Sequence, residues 1–409
     1  MTELQHPKKR VVIMWTNFLP YHVARIRHLR ERLHPLGWQV TAIEIASKDA
    51  LYPFPDDTSK SGNDYICLFS GESYRALSPY IIHRKAFRML ESLRPDAVIA
   101  PSTPFPSGMA SVKYCLDYDK LCVMMDDAWE YSDKRGFIVS TTKKIIHRNV
   151  DAAFIPAPSH ASYYLAMGFP PERIFYGVDV VDNDFFSTGA ELARGQADAL
   201  RNALNLPQKY FLFVGRFITR KGITTLLEAY QQYAQLAHRD AWGLVLVGEG
   251  DERRRHEEAM REYPGVRFVG SQFGEQLCWY YGLASAFILP SVVETWGLVA
   301  NEALASQLPV IISKGCGAAR TLVEEGKNGW SFDAGDSAAL SQHMLELTRM
   351  PSDRLRAMGL RSKEIIAKWS LATFADSVVS AVSLPRREPG GILADLLTKF
   401  WNGRISFYP

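Results

Sequence analysis

Glu294 and Glu302, eight residues apart, flank the start of a helix that follows a buried strand, and this makes them the most chemically informative pair in the chain. The stretch AFILPSVVETWGLVANEALASQLPVIIS (286–313) reads as a strand, a loop carrying Glu294, and a helix that begins near Gly297 and carries Glu302. Backbone N–H groups in the first turn of such a helix, here those of Gly297, Leu298 and Val299, have no intrahelical acceptor, and the dipole there is positive. A phosphate suits that position. Around it, Glu294 would accept hydrogen bonds from sugar hydroxyls, while Glu302, more than a turn into the helix, would hold a ribose diol. An isolated pair of helix acids is more often a solvated surface, so the weight comes from a second segment, FLFVGRFITRKGITTLLEAY (211–230). There a strand ends at Gly215, Arg216 follows, and Lys221 and Gly222 stand just before an amphipathic helix. Arg and Lys five residues apart on a strand-to-helix turn reach two adjacent phosphates.

Loops with these duties need parallel strands that end on one edge, and the chain supplies them. Apolar, β-rich runs begin at 11 (VVIMW), 40 (VTAIEI), 65 (YICLF), 96 (DAVIA), 121 (LCVMM) and 152 (AAFIP), separated by longer amphipathic stretches. A second series begins at 210 (YFLFVG), 243 (GLVLVG), 266 (VRFVG), 286 (AFILP) and 310 (VIIS). Strand and helix in alternation predict an α/β fold of two Rossmann-like, doubly wound domains. The expected division is 1–185, 186–385 and a tail, 386–409, that crosses back onto the first domain, with a linker near 181–190. Such a length, 409 residues, exceeds what one core usually supports. Its net charge of +3 and 22% charged residues argue against a nucleic-acid partner. Five scattered cysteines without a C-x-x-C pair argue against a disulfide framework or structural zinc, and no 18-residue apolar span is evident, so a cytosolic location is expected.

Four motifs in order, VGRF with KG, VGEGDE after the next strand, ETWGLVANEALA, and GCGAARTLVEEGKNGWSF, resemble the retaining glycosyltransferases of family 4, which share the GT-B fold. The resemblance spans about residues 174–375. It implies two domains facing across a cleft, with a nucleotide-sugar donor, UDP- or GDP-linked, bound by the second. By position, Arg216 and Lys221 would bind the donor diphosphate, Glu294 the transferred sugar and Glu302 the ribose. The phosphate would meet the amides of Gly297, Leu298 and Val299, with Gly215 and Gly248 closing the strand ends. Retention in this family is usually explained by front-face attack, in which the departing phosphate helps take the acceptor proton, so Arg216 and Lys221 would act as electrophilic catalysts. No metal or other cofactor is implied. The D-x-D pattern Asp117-Tyr118-Asp119 reads as a surface turn.

The first half resembles the family only in layout. Many members have a Gly-Gly loop after the first strand, whereas this chain has TNFLPYHVAR, whose Asn17, Tyr21 and His22 are candidate acceptor contacts, His22 also fitting a helix-start hydrogen bond. Where many members place a His, after a later strand, this chain has Asp126 and Asp127. Asp127 is the catalytic candidate there, able to accept a hydrogen bond from a sugar or acceptor hydroxyl, with capping of the following turn as the alternative. His160 fits a helix start better than a cleft. The helix VARIRHLRERLHPLG puts Val23, Ile26, Leu29 and Leu33 on one face, and its arginines, with the basic first residues and the KFW-containing tail, suggest contact with an anionic membrane.

The leading expectation is therefore transfer of a sugar to a glycan or lipid-linked glycan in cell-surface polysaccharide synthesis. A nucleotide-sugar epimerase on the same architecture, or a non-catalytic nucleotide-sugar-binding subunit, are the competing classes. Epimerisation needs no acceptor, and a binding subunit turns nothing over.

Overall fold

A computed structural model describes residues 9–48, 64–132 and 136–404; of the basic start, Lys8 lies outside this range, whereas Lys9 and Arg10 open the first strand. The chain forms two compact units, one running to Val180 and resuming at Leu371, the other spanning Val181–Ser370.

The first unit is built on seven strands: β1 (Lys9–Trp15), β2 (Trp38–Lys48), β3 (Tyr65–Ser73), β4 (Ala97–Pro101), β5 (Leu121–Met125), β6 (Ala152–Ile155) and β7 (Ile174–Tyr176). All pair in parallel, in the order β3-β2-β1-β4-β5-β6-β7. Helices cover both faces, so the central strands are apolar on both sides, as in VVIM of β1 and LCVMM of β5, which are buried throughout. The second unit repeats the plan with β8 (Tyr210–Val214), β9 (Gly243–Val247), β10 (Val266–Val269), β11 (Ala286–Leu289), β12 (Val310–Ser313) and β13 (Gly329–Phe332), ordered β10-β9-β8-β11-β12-β13 and again parallel. Its core gathers Phe211, Phe213, Leu226, Leu244, Ile288 and Ile311. In each sheet the winding reverses once, between β1 and β4 and between β8 and β11, and ligands of doubly wound sheets bind beside that reversal, at the carboxyl ends of the strands.

Several expectations change. The strands β7 and β13 escaped the sequence reading because each is an edge strand of three or four residues with half-buried positions, too short for a continuous apolar run. The division falls at 180/181 rather than 185, and most of the expected linker is helical: Asn183–Gly195 is a helix whose N-terminal amides are capped by Asp182, which accepts from the Phe185 amide at 3.0 Å. The return to the first unit begins at Leu371 rather than 386, because helix Leu371–Val382 packs on β5, β6, β7 and helix Pro20–Leu33, burying Phe374, Val378 and Val382. An 18-residue window within Ser352–Val382 reaches a mean hydropathy of 1.3, contrary to the expectation of no such span. The window straddles two helices, Ser352–Ile366 and Leu371–Val382, whose apolar residues lie in the cores of different units.

Helix Pro20–Leu33 buries Val23, Ile26, Leu29 and Leu33 as its periodicity requires. Its arginines are not a free cationic face. Arg25 is 2% exposed, donating from Nε and Nη2 to the Val180 carbonyl at 2.9 and 2.7 Å beside Asp179 at 3.8 Å. Arg30 donates to the Asp64 carbonyl at 2.8 Å, and Arg32 pairs with Asp376 at 2.7 Å. These contacts engage three of the helix's four arginines, while Arg27 is exposed.

Candidate functional site

The loops after β8 and β11 come together because those strands are neighbours at the reversal of the second sheet. Val292 donates its amide to the Arg220 carbonyl at 2.8 Å, fastening one loop to the other. Gly222 starts helix Ile223–Ala237 at φ +66°, and a Cβ there would lie 2.1 Å from the Pro290 carbonyl oxygen, so glycine is required on both counts. This close approach brings Lys221 to Glu294: Nζ donates to Oε2, while Ser291 Oγ donates to the same oxygen at 3.3 Å. The backbone of Glu294 is fixed too, donating to Gly315 at 2.9 Å and accepting from Gly317 at 3.1 Å. The GCGA motif thus serves as the floor under Glu294.

Gly297 stands at φ +105° immediately before helix Leu298–Ala305, which begins where the sequence placed it. A Cβ there would press to 2.9 Å from the Cys316 sulfur, so the loop can turn into the helix only at glycine. The first-turn amides of Leu298 and Val299 therefore open beside the Lys221–Glu294 pair's loop. Gly215 and Gly248 end β8 and β9, donating to the Val247 and Val269 carbonyls, each at 3.0 Å. Arg216 follows, half-buried, while the Phe217 amide donates to the Glu249 carbonyl at 2.8 Å and ties the VGRF and VGEG loops together.

The two glutamates are electrostatically opposite. Burial pushes the Glu294 carboxyl up, but Lys221, Arg220 and the Ser291 hydroxyl together outweigh it and hold the group below its ordinary range, ionised. Burial pushes Glu302 up to about 7, opposed only by the Tyr281 hydroxyl, which donates to Oε2 at 2.7 Å and lies 3.3 Å from the Val299 carbonyl. The structure thus joins Lys221 to Glu294 but sets Glu302 with Tyr281. Tyr281, Ser291 and Arg220 were missed in the sequence. Tyr281 sits in helix Gly274–Leu283, where CWYYGL reads as core, and it is fully buried, its hydroxyl bonded to Glu302.

In the first unit, the loop after β1 is architecture more than contact surface. His22 Nδ1 accepts from the Leu19 amide at 3.0 Å, its ring stacks on Trp15 with centroids 4.6 Å apart, and Glu44 accepts from the Phe18 amide at 2.9 Å. Asn17 and His22 are each 8% exposed, and Tyr21 is half-exposed. Asp126 and Asp127 follow β5 as expected, both half-buried. Asp126 lies 3.7 Å from Lys143 Nζ, which donates to the Tyr163 hydroxyl at 2.9 Å. Nearby, burial raises Asp179 to about 6 despite Arg25, and Asp126 adds to the rise. The Tyr164 phenol is pushed up by burial and then by Asp126 and Asp127. His160 is buried at the N-terminus of helix Ala161–Ala166, bonded to Ser159 at 3.1 Å. Asp117 ends a helix paired with Lys113 at 2.9 Å, and Asp119 sits in an exposed turn against Arg386. Among the described residues, no three His, Cys, Asp or Glu side chains converge as metal ligands.

Residues 196–364 match the family model described as Glycosyl transferases group 1. A GDP-mannose-dependent alpha-mannosyltransferase of Corynebacterium glutamicum is 35% identical over 311 residues, covering 74% of this chain and 65% of its own length. The chain covers less than two thirds of the length of the first curated relatives it matches. Among solved structures, a sucrose-phosphate synthase from Thermosynechococcus elongatus aligns with a TM-score of 0.69 over 91% of this chain and 98% of its own, at 22% identity. Anabaena HepE in complex with UDP and glucose aligns with a TM-score of 0.68 over 92% of this chain and 100% of its own, at 14% identity. Residues 196–364 thus carry a glycosyl transferases group 1 sequence, set in a chain with the two-sheet GT-B fold of solved glycosyltransferases.

Proposed function

We propose that this chain is a retaining glycosyltransferase of family 4 that moves a hexosyl group from a nucleoside diphosphate sugar to a glycan or lipid-linked glycan. The observation that carries it is the Lys221–Glu294 pair held beside the N-terminus of helix Leu298–Ala305. In this reading the donor diphosphate lies at the Leu298 and Val299 amides and draws Lys221 and Arg216 to its oxygens. Glu294, released from part of its ion pair, accepts from a sugar hydroxyl, and Glu302 takes the ribose diol. The acceptor hydroxyl bonds to the anomeric carbon as the carbon–oxygen bond to the diphosphate breaks. The electron pair and the acceptor proton both go to the departing phosphate, where Arg216 and Lys221 stabilise the charge.

The relative named for GDP-mannose supports a GDP-linked donor, and the solved structure holding UDP and glucose supports a UDP-linked one. Asp127, after β5, is the candidate on the acceptor side. Metal-independent turnover, a cytoplasmic location and a role in cell-surface polysaccharide synthesis complete the proposal.

The test is to incubate the chain with GDP-mannose and UDP-glucose, with and without glycan acceptors, in EDTA, and to read the product anomer by proton NMR. Acceptor-dependent release of nucleoside diphosphate with an α-linked product from an α-linked donor is expected. Inverted product removes the retaining assignment, epimerised donor without acceptor favours the isomerase class, and loss of turnover in EDTA removes metal independence.

A further inference from the structure

Helix Ile392–Phe400 is docked inside out. Its sequence, ILADLLTKF, is amphipathic, yet the residues turned into the protein are Ala394 and Thr398, small or polar, while Ile392 and Phe400 are 82% and 80% exposed and Leu393 and Leu396 are exposed beside them. What holds the inner side is polar: Asn149 Nδ2 donates to Asp395 Oδ1 at 3.0 Å and to Thr398 Oγ1 at 3.1 Å, and Asn149 Oδ1 accepts the Gly390 amide at 2.7 Å. A surface helix of a soluble domain does the reverse, burying its apolar stripe and presenting its polar one.

The helix that packs beside it, Phe137–Ile146, has the same habit. Phe137 and Ile138 are 85% and 79% exposed, whereas the buried residues are Ile146 and Lys143, the latter turned inward to Tyr163 and Asp126. Six large apolar side chains are thus presented by two adjacent helices of the first unit, more than scattered surface residues require. Cations outnumber acids around them, with Glu388 exposed just ahead of the second helix. Lys144, Arg148 and Lys399 are exposed on these same helices and the turn that follows the first, and the acid there, Asp395, is tied to Asn149.

We propose that this face docks the first unit on an anionic lipid bilayer, its apolar side chains entering the headgroup region and its lysines and arginine meeting the phosphates. An apolar face ringed by cations fits that partner: burial of the hydrophobic side chains holds the helix in the interface, and the cations add attraction within a Debye length of the charged surface. Aromatic Phe137, Phe400 and the half-exposed Trp401 suit the depth at which ring and headgroup mix. The inference is independent of the donor-site reading, since it needs no sugar nucleotide and concerns the other unit.

The test is co-sedimentation of the full chain with phosphatidylcholine vesicles containing phosphatidylglycerol, against pure phosphatidylcholine vesicles, across a salt series. Binding to the anionic vesicles that weakens as salt rises is expected. Phe137→Ser with Ile138→Ser, and separately Ile392→Ser with Phe400→Ser, should each lower partitioning by on the order of tenfold or more, since one large apolar side chain withdrawn from water accounts for about a decade. Because these side chains are exposed, melting temperature should be unchanged, which separates lost docking from lost folding. Lys144→Glu with Lys399→Glu should remove the salt-sensitive part. Equal binding to neutral vesicles, no binding by the unaltered chain, or a dimer in analytical ultracentrifugation that the same serine substitutions dissolve would each overturn the proposal, the last by assigning the face to a second copy of the chain.

Discussion

Lys221 Nζ donates to Glu294 Oε2 across 73 positions of sequence, joining the loop after β8 to the loop after β11 in the heart of the second unit. Both side chains are mostly buried, so neither is indifferent to the loss of the other. We expect Lys221→Met and Glu294→Gln each to abolish transfer and to lower stability by about 1–3 kcal/mol, with a double-mutant coupling of about 1 kcal/mol or more in urea unfolding. Additive single effects would show that the pair is not a unit. Glu294 is held below its ordinary range, so its stabilising contribution is present above the unfolded-state value and is lost as pH falls through the folded one. Acid should therefore erode the unaltered protein through this group more than it does the Glu294→Gln variant.

Glu302 behaves in the opposite sense. With its carboxyl raised to about 7, the folded chain binds this proton more tightly than the unfolded chain, so its contribution to stability is full below the unfolded-state value and fades as pH rises through 7. Donor binding runs the other way, because an ionised Glu302 is the better acceptor for two ribose hydroxyls. GDP-mannose or UDP-glucose should bind more tightly above pH 7 than below it by calorimetry, and Glu302→Gln should bind more weakly with a flat profile. A variant profile that keeps the midpoint near 7 would assign the titration to another group.

Tyr281→Phe isolates the hydrogen bond that opposes burial at Glu302. Without it the carboxyl should titrate higher, moving the midpoint of donor affinity upward while the affinity at high pH changes little. An unmoved midpoint would mean that the hydroxyl does not tune Glu302.

Two glycines of similar backbone shape separate strain from proximity. Gly222 at φ +66° and Gly274 at φ +55° both lie in the left-handed region, but a Cβ at Gly222 meets the Pro290 carbonyl, whereas one at Gly274 meets nothing within 4 Å. Gly274→Ala should cost about 1 kcal/mol and keep full transfer activity. Gly222→Ala should cost more and push the Lys221 loop from the Glu294 loop, with donor affinity falling as well. Equal activity in the two variants would remove the close approach as a determinant of the site.

Much of this was legible in the chain because it is local. Buried parallel strands must be apolar on both faces, so VVIMW, LCVMM, YFLFV and AFIL announce themselves, and LVANEALA, a run of mostly good helix formers after a strand and its loop, reads as a helix. The edge strands β7 and β13 were silent because half-buried strands of three or four residues have no such run. Arg25 was misplaced for a related reason: its position on a helical wheel says nothing about the Val180 carbonyl, 155 positions away, that takes it into the interior.

By itself, then, the sequence determined the period and order of the main elements, and with them that Arg216, Lys221 and Glu294 stand in strand-to-helix loops and Glu302 in the helix that follows, since these follow from short-range sterics and hydrophobic pattern. Only the tertiary structure decided that Lys221 is joined to Glu294 while Glu302 is joined to Tyr281, and that helix Ile392–Phe400 turns its apolar side outward. Sheet order chooses which loops meet, and burial with its neighbours chooses the charge each carboxyl carries. Both depend on residues far apart in the chain, and no local pattern encodes them.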